Sequence, residues 1–148
     1  TNYNMSVVNS YKSALYGFNI GINKYWAPIL GLKSIECAKS AIAQDEKNPF
    51  GYIQYGNCLF YMPSLFGGSK YEALINYIKA EMLMELNENQ LKDDWNYLSL
   101  LTLIAQSYTT IKNYKQAKVY YEKVLKAEPR FLWVKNELYP DLLKMVKE

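Results

Sequence analysis

The sequence predicts an all-α chain, and three observations carry that expectation. Glycine and proline, the residues that interrupt helices, number only 7 and 5 among 148. Apolar residues recur at spacings of three and four, the period of a helix face rather than of a strand. Residues 101–129 read Leu-x2-Ile-Ala-x2-Tyr, then Ala117-x3-Tyr121, then Pro129. Those are two helical stripes closed by a residue that cannot continue a helix.

Taken in order, the first helix is expected over about residues 4–21, with Val8, Tyr11, Leu15 and Phe18 as its inward stripe. The second covers about residues 32–44, with Ile35, Ala38, Ala41 and Ile42 inward. Asn48-Pro49 opens the third, because proline suits a first turn, and that helix ends before Pro63. Ser69-Lys70-Tyr71-Glu72 is a capping box starting the fourth, which carries Leu74, Tyr77, Ile78 and Leu83. A polar linker at residues 87–92 precedes the fifth helix, expected over about residues 94–110. A tight Lys112-Asn113 turn leads to the sixth, Tyr114 to Ala127. The tail, residues 130–148, repeats Phe131, Val134, Leu138, Leu142 and Met145 on one face and Lys135, Glu137, Lys144 and Lys147 on the other. That is the pattern of a terminal helix covering the last apolar face, with a kink or a break at Pro140.

The first four helices form two similar units. Tyr16-Gly17 aligns with Tyr55-Gly56, and Ala41 with Ala80, all at an offset of 39 residues. In both units the connection between helices is long, at residues 23–30 and 62–68. Pro28 and Pro63 place these stretches outside helices.

Composition bounds the chemistry. A length of 148 residues suits one domain with a substantial core. Half the residues are hydrophobic, yet no run approaches the roughly 18 apolar residues of a membrane span. Seventeen basic against fourteen acidic residues leave a net charge of +3. Arg130 is the only arginine, and without arginine forks or a dense basic run no nucleic-acid partner is expected. No histidine is present, which removes the commonest general base and metal ligand, so no metal, cofactor or catalytic set is expected. Cys37 and Cys58 lack CxxC spacing and are expected to be free thiols inside helices. Carboxylates such as Asp45-Glu46 and Asp93-Asp94 read as solvated faces and helix-start charges. Phe66-Gly67-Gly68-Ser69-Lys70 lacks phosphate-loop spacing, and its glycines are expected to supply a positive-φ turn. The chain starts at Thr1 without methionine, from which a removed upstream segment, a signal peptide or flanking sequence, is expected.

The 101–129 pattern resembles the tetratricopeptide repeat, a helix–turn–helix unit of about 34 residues. Small Ala105 and Ala117 stand where its two helices cross closely, beside Tyr108 and Tyr121. The resemblance extends to the whole chain as three repeats, at about 4–46, 49–86 and 94–128, plus a cap at 130–148. It implies seven helices in a right-handed array. The Pro-Ser-Leu-Phe-Gly-Gly-Ser segment followed by Glu-Ala-Leu also resembles the long loop of the periplasmic repeat component of bacterial tripartite transporters. The lysine- and asparagine-rich composition is similar to that of repeat proteins of Bacteroidetes-like bacteria.

In that family a concave groove usually binds an extended peptide or a partner helix. Its spacing nominates Tyr11, Ala14, Phe18, Phe50, Ile53, Asn57, Phe60, Tyr61, Thr102, Gln106 and Thr109. One subfamily grips a C-terminal carboxylate with groove lysines. Those slots hold Ala14 and Thr102 here, and only Asn57 fits, so no such clamp is expected. The resemblance thus implies a non-catalytic module binding a protein or peptide segment, exported in a bacterium, as a monomer or weak homo-oligomer. The alternative is a periplasmic small-molecule binder whose long loops close an apolar pocket.

Overall fold

The computed structural model of the chain describes residues 1–86, 91 and 94–146. Their regular structure is all helical: α1 (Asn2–Ile22), α2 (Ala27–Gln44), α3 (Pro49–Tyr61), α4 (Lys70–Glu85), α5 (Trp95–Thr110), α6 (Tyr114–Ala127) and α7 (Tyr139–Met145), with no strand among the described residues. The linker expected at residues 87–92 lies, apart from Leu91, outside the described residues, as do Asp93 and Lys147. Two compact units divide the chain, Thr1–Leu83 and Met84–Glu148.

Helix starts follow the local chemistry that the sequence advertises. Asn48 accepts from the Phe50 amide at 3.0 Å and Pro49 occupies the first turn of α3. Ser69 Oγ accepts from the Glu72 amide at 3.2 Å, the first half of the capping box. Asp94 and Asn113 cap α5 and α6 in the same way. Gly67 has φ +94°, the left-handed turn expected before α4, and Lys112 takes φ +63° in the turn between α5 and α6.

One boundary differs. Pro28, expected in a connection, sits in the first turn of α2, which begins at Ala27 after a single 3-10 turn, Lys24–Trp26. A first-turn amide has no intrahelical acceptor, so proline's missing N–H costs nothing there. Pro63 does lie between helices.

In the second unit, α5 and α6 bury Leu101, Ile104, Ala105, Ala117, Tyr121 and Val124. The tail packs on α6 through buried Val134 and Leu142, as a terminal cover would, while Met145 stays exposed. Its helix is not broken at Pro140. A π turn, Val134–Leu138, precedes α7, and the Tyr139 amide donates to Val134 O, five residues back. The wider turn relieves the clash between a proline ring and the carbonyl four residues before it.

The first unit departs from the expected pattern at α1. Val8, Tyr11, Leu15 and Phe18, expected inward, are exposed, and Ser6, Ser10 and Ser13 are buried instead. At 100° per residue Ser13 and Leu15 point to opposite sides of the helix. The reason lies across the interface, where Ser34, Ala38 and Ala41 of α2 are buried at the same four–three spacing. Small side chains on both helices permit close approach, and the hydroxyls are satisfied. Ser6 Oγ donates to Ala41 O at 2.6 Å, Ser34 Oγ to Ser13 O at 2.9 Å, and Asn48 Nδ2 to Ser6 Oγ at 2.8 Å. Buried hydroxyls so paired cost little, whereas the bulky stripe would hold the helices apart.

Candidate interaction surface

The C-terminal half of α3 and the turn after it gather one group of exposed apolar side chains in the first unit; Tyr25, Trp26 and Leu32, before and within the start of α2, are exposed as well. Tyr61 is exposed, half-buried Phe60 meets it edge-on with ring centroids 5.1 Å apart, and Lys70 Nζ lies 4.2 Å from the Phe60 ring centre. That ammonium–ring placement is attractive and keeps the Lys70 stem over the aromatic pair. Leu65 and Phe66 project from the 3-10 turn Ser64–Phe66, both largely exposed.

The turn carrying them is held by its own backbone. The amides of Phe66 and Gly68 both donate to Pro63 O, at 2.9 and 3.1 Å, and the Ser69 amide donates to Leu59 O at 3.0 Å. Gly68 packs so closely that a Cβ there would run into the Met62 carbonyl. Leu65 and Phe66 are therefore displayed from a fixed support, which lowers the ordering cost of any contact they make. The repeat resemblance nominates Phe60 and Tyr61 for a groove, whereas Leu65 and Phe66 fall in the connection at residues 62–68. Their signal was the Gly67-Gly68 pair, which pins the turn and leaves its apolar tip outside.

The other nominated residues are distributed differently. Phe50 and Asn57 are half-buried, and Asn57 Oδ1 accepts from buried Tyr77 at 2.8 Å. Burial pushes the Tyr77 phenol well above its ordinary range, so it remains a donor to Asn57. Ile53 is buried and belongs to the interior. Tyr11 and Phe18 are exposed on the side of α1 turned away from its packing serines, while Ala14 is half-buried. In the second unit Thr102 is buried, its hydroxyl donating to Leu98 O at 2.9 Å, so it does not line a surface. Hydroxyls in helices readily bond back to the carbonyl four residues earlier, which makes threonine compatible with burial there. Thr109 does the same to Ala105 O, and it and Gln106 are half-buried. A second aromatic group that the sequence did not single out occupies this unit. Trp95 stands edge-on to Phe131 at 6.0 Å, and Phe131 lies 6.4 Å from Trp133.

Titratable side chains meet around Glu122, where Tyr139 Oη donates to Oε1 at 2.8 Å and Lys118 Nζ lies 3.8 Å from the same oxygen, and a more buried group surrounds Glu85. Tyr97 Oη and Lys123 Nζ both donate to Glu85 Oε1, at 2.6 and 2.8 Å. Burial raises the Glu85 carboxyl, but those two bonds and the lysine charge outweigh it and hold the group below its usual value. Burial, with the carboxylate bond behind it, pushes Tyr97 up to about 12. The three groups tie the end of α4 to α5 and α6. Cys37 and Cys58 are free thiols, and Cys58 Sγ lies 3.3 Å from Ser34 Oγ. Burial raises both thiols, which keeps them protonated and unreactive near neutrality. No group of three or more metal-ligating side chains occurs among the described residues, and none of their helices is long and apolar enough to cross a membrane. Compared with known proteins, the chain matches no family model and no curated protein.

Proposed function

We propose that the chain is a non-catalytic interaction module of the tetratricopeptide type, which binds a protein or peptide segment through aromatic side chains displayed by its helices. The observation that carries this reading is the Phe60–Tyr61 pair beside Leu65 and Phe66, presented on a hydrogen-bonded turn. Apolar groups displayed in this way mark binding surfaces, and aromatic anchors dominate binding energies. The helical hairpin of α5 and α6, with Ala105 and Ala117 buried at its crossing, supports the repeat assignment. A right-handed array of three such hairpins with the tail as cap is the arrangement this reading implies. Leu65 and Phe66 point into solvent rather than roofing a cavity, which weighs against the small-molecule alternative.

The test compares the wild type with a Tyr61→Ser/Phe66→Ser variant in affinity capture from cell extract, alongside thermal melts of both. A specific partner retained by the wild type and lost by the variant, at unchanged melting temperature, is the expected outcome. Identical capture by the two proteins removes this surface from the proposal. A drop of about 3 kcal/mol or more in unfolding free energy would identify the rings as core rather than anchors.

A further inference from the structure

The outward stripe of α1 has a chemistry of its own. Val8, Tyr11, Leu15, Phe18 and Ile22 are 43, 66, 59, 70 and 85% exposed and follow one another at intervals of three, four, three and four residues. A 3.5-residue apolar repeat is the seam along which one helix packs against another. Lys12 is the only charged residue in all 21 positions of α1, so nothing along the seam repels an apolar neighbour. The five side chains together offer on the order of 600 Å² of apolar surface, at or above the largest patch of an ordinary monomer.

The order of sizes along the seam says what covers it. Val8, Leu15 and Ile22 occupy one heptad position and Tyr11 and Phe18 the other. In a parallel pair of identical helices, ring would meet ring and valine would meet valine, giving layers alternately overfilled and underfilled. In an antiparallel pair the two positions face each other, so every layer sets one aliphatic against one aromatic side chain at nearly constant volume. A two-fold axis across the seam generates that pairing from a single sequence, because an isologous contact needs only one self-complementary patch. The area is also of the right order, since a standard interface buries about 800 Å² per partner and half-exposed Met5 flanks the stripe.

We propose that α1 is the dimerisation helix of this chain: two copies associate about a two-fold axis through an antiparallel pair of α1 helices, with Leu15 and Phe18 in the central layers. The interface is separate from the Phe60–Phe66 surface and does not rest on the function proposed for it.

Sedimentation velocity of the full chain, from about 1 to 200 µM, tests the association over the range where a contact of this size shows itself. Wild type is expected to pass from monomer to dimer. Leu15→Glu is expected to weaken dimerisation by more than about 100-fold, since it buries an unpaired carboxylate, with circular dichroism unchanged, and melting unchanged at concentrations where both proteins are monomeric, because the site faces solvent in the monomer. An equimolar mixture of Leu15→Glu and Leu15→Lys chains is expected to recover a heterodimer. A photo-crosslinking residue at Val8 is expected to capture the Ile22–Tyr25 end of the other copy. Wild type that stays monomeric throughout overturns the proposal, as does a dimer indifferent to Leu15→Glu. Capture of the Val8 region by Val8 overturns the antiparallel arrangement.

Discussion

Gly17 and Gly56 occupy equivalent places in the two 39-residue units, yet their surroundings assign them opposite roles. A Cβ on Gly56 would come within 2.5 Å of the Tyr77 ring, whose hydroxyl is fixed on Asn57, so the ring has no room to yield. A Cβ on Gly17 would meet nothing within 4 Å. The residue standing where Tyr77 stands in the other unit is Ala38, which explains the space. Gly56→Ala should therefore cost about 1–3 kcal/mol through overpacking. Gly17→Ala should stabilise by about 0.5–1 kcal/mol, the helix-interior difference between the two residues. Urea titration of both variants checks the signs, and equal effects would contradict this account. At this scale the sequence was readable where a residue dictates backbone geometry: Asn48, Ser69, Gly67 and Pro49 all do what their chemistry implies. It was unreadable where burial depends on the partner. Ile53 and Thr102 look like candidate surface residues until the neighbouring helix is known.

Among the elements, the tail shows how one substitution can report on a whole helix. Leu142 and Val134 are its buried anchors against α6, so Leu142→Ala should lower the unfolding free energy by about 2–5 kcal/mol. A calorimetric melt that does not move would show that the tail is not a cover. The π turn ahead of Pro140 was only half legible: the proline announces a disturbance, but whether the helix bends, breaks or widens depends on what α6 requires of Val134 and Leu142. The Glu85–Tyr97–Lys123 contact links stability to pH on both sides of neutrality. Glu85 is lowered in the folded chain, so its contribution is complete above the unfolded carboxyl value of about 4.3 and fades as pH falls through the folded one. Tyr97 is raised to about 12. Unfolded phenol ionises near about 10, so the unfolded state holds fewer protons in that window and stability declines as pH climbs through it. In denaturant titrations across pH, Glu85→Gln should flatten the acid limb. Tyr97→Phe should reduce the alkaline limb without abolishing it, because Tyr77 and Tyr121 are raised as well. An acid limb unchanged by Glu85→Gln would mean that the contact does not control it.

For the molecule as a whole, helical class and most helix limits were legible because they rest on local signals, caps, breakers and the three–four period, which one strand of sequence contains. The orientation of α1 was not. Two stripes of equal spacing run along it, one of serines and one of large apolar groups, and the usual expectation buries the second. Only the matching row Ser34, Ala38 and Ala41 on α2 decides for the first, and reading that row requires knowing that the two helices meet. The choice has a thermodynamic consequence. Releasing α1 from α2 would expose mainly hydroxyls, carbonyls and small methyl groups, and polar exposure offsets the heat-capacity increase that apolar exposure brings. Opening of α1 should therefore be a low-energy, nearly heat-capacity-neutral event that precedes global unfolding. In hydrogen–deuterium exchange its amides should exchange well before those of α5 and α6, with an opening free energy that changes linearly with temperature rather than along a curve, whereas α1 amides protected as long as those of α5 would show that the serine seam holds as firmly as an apolar core.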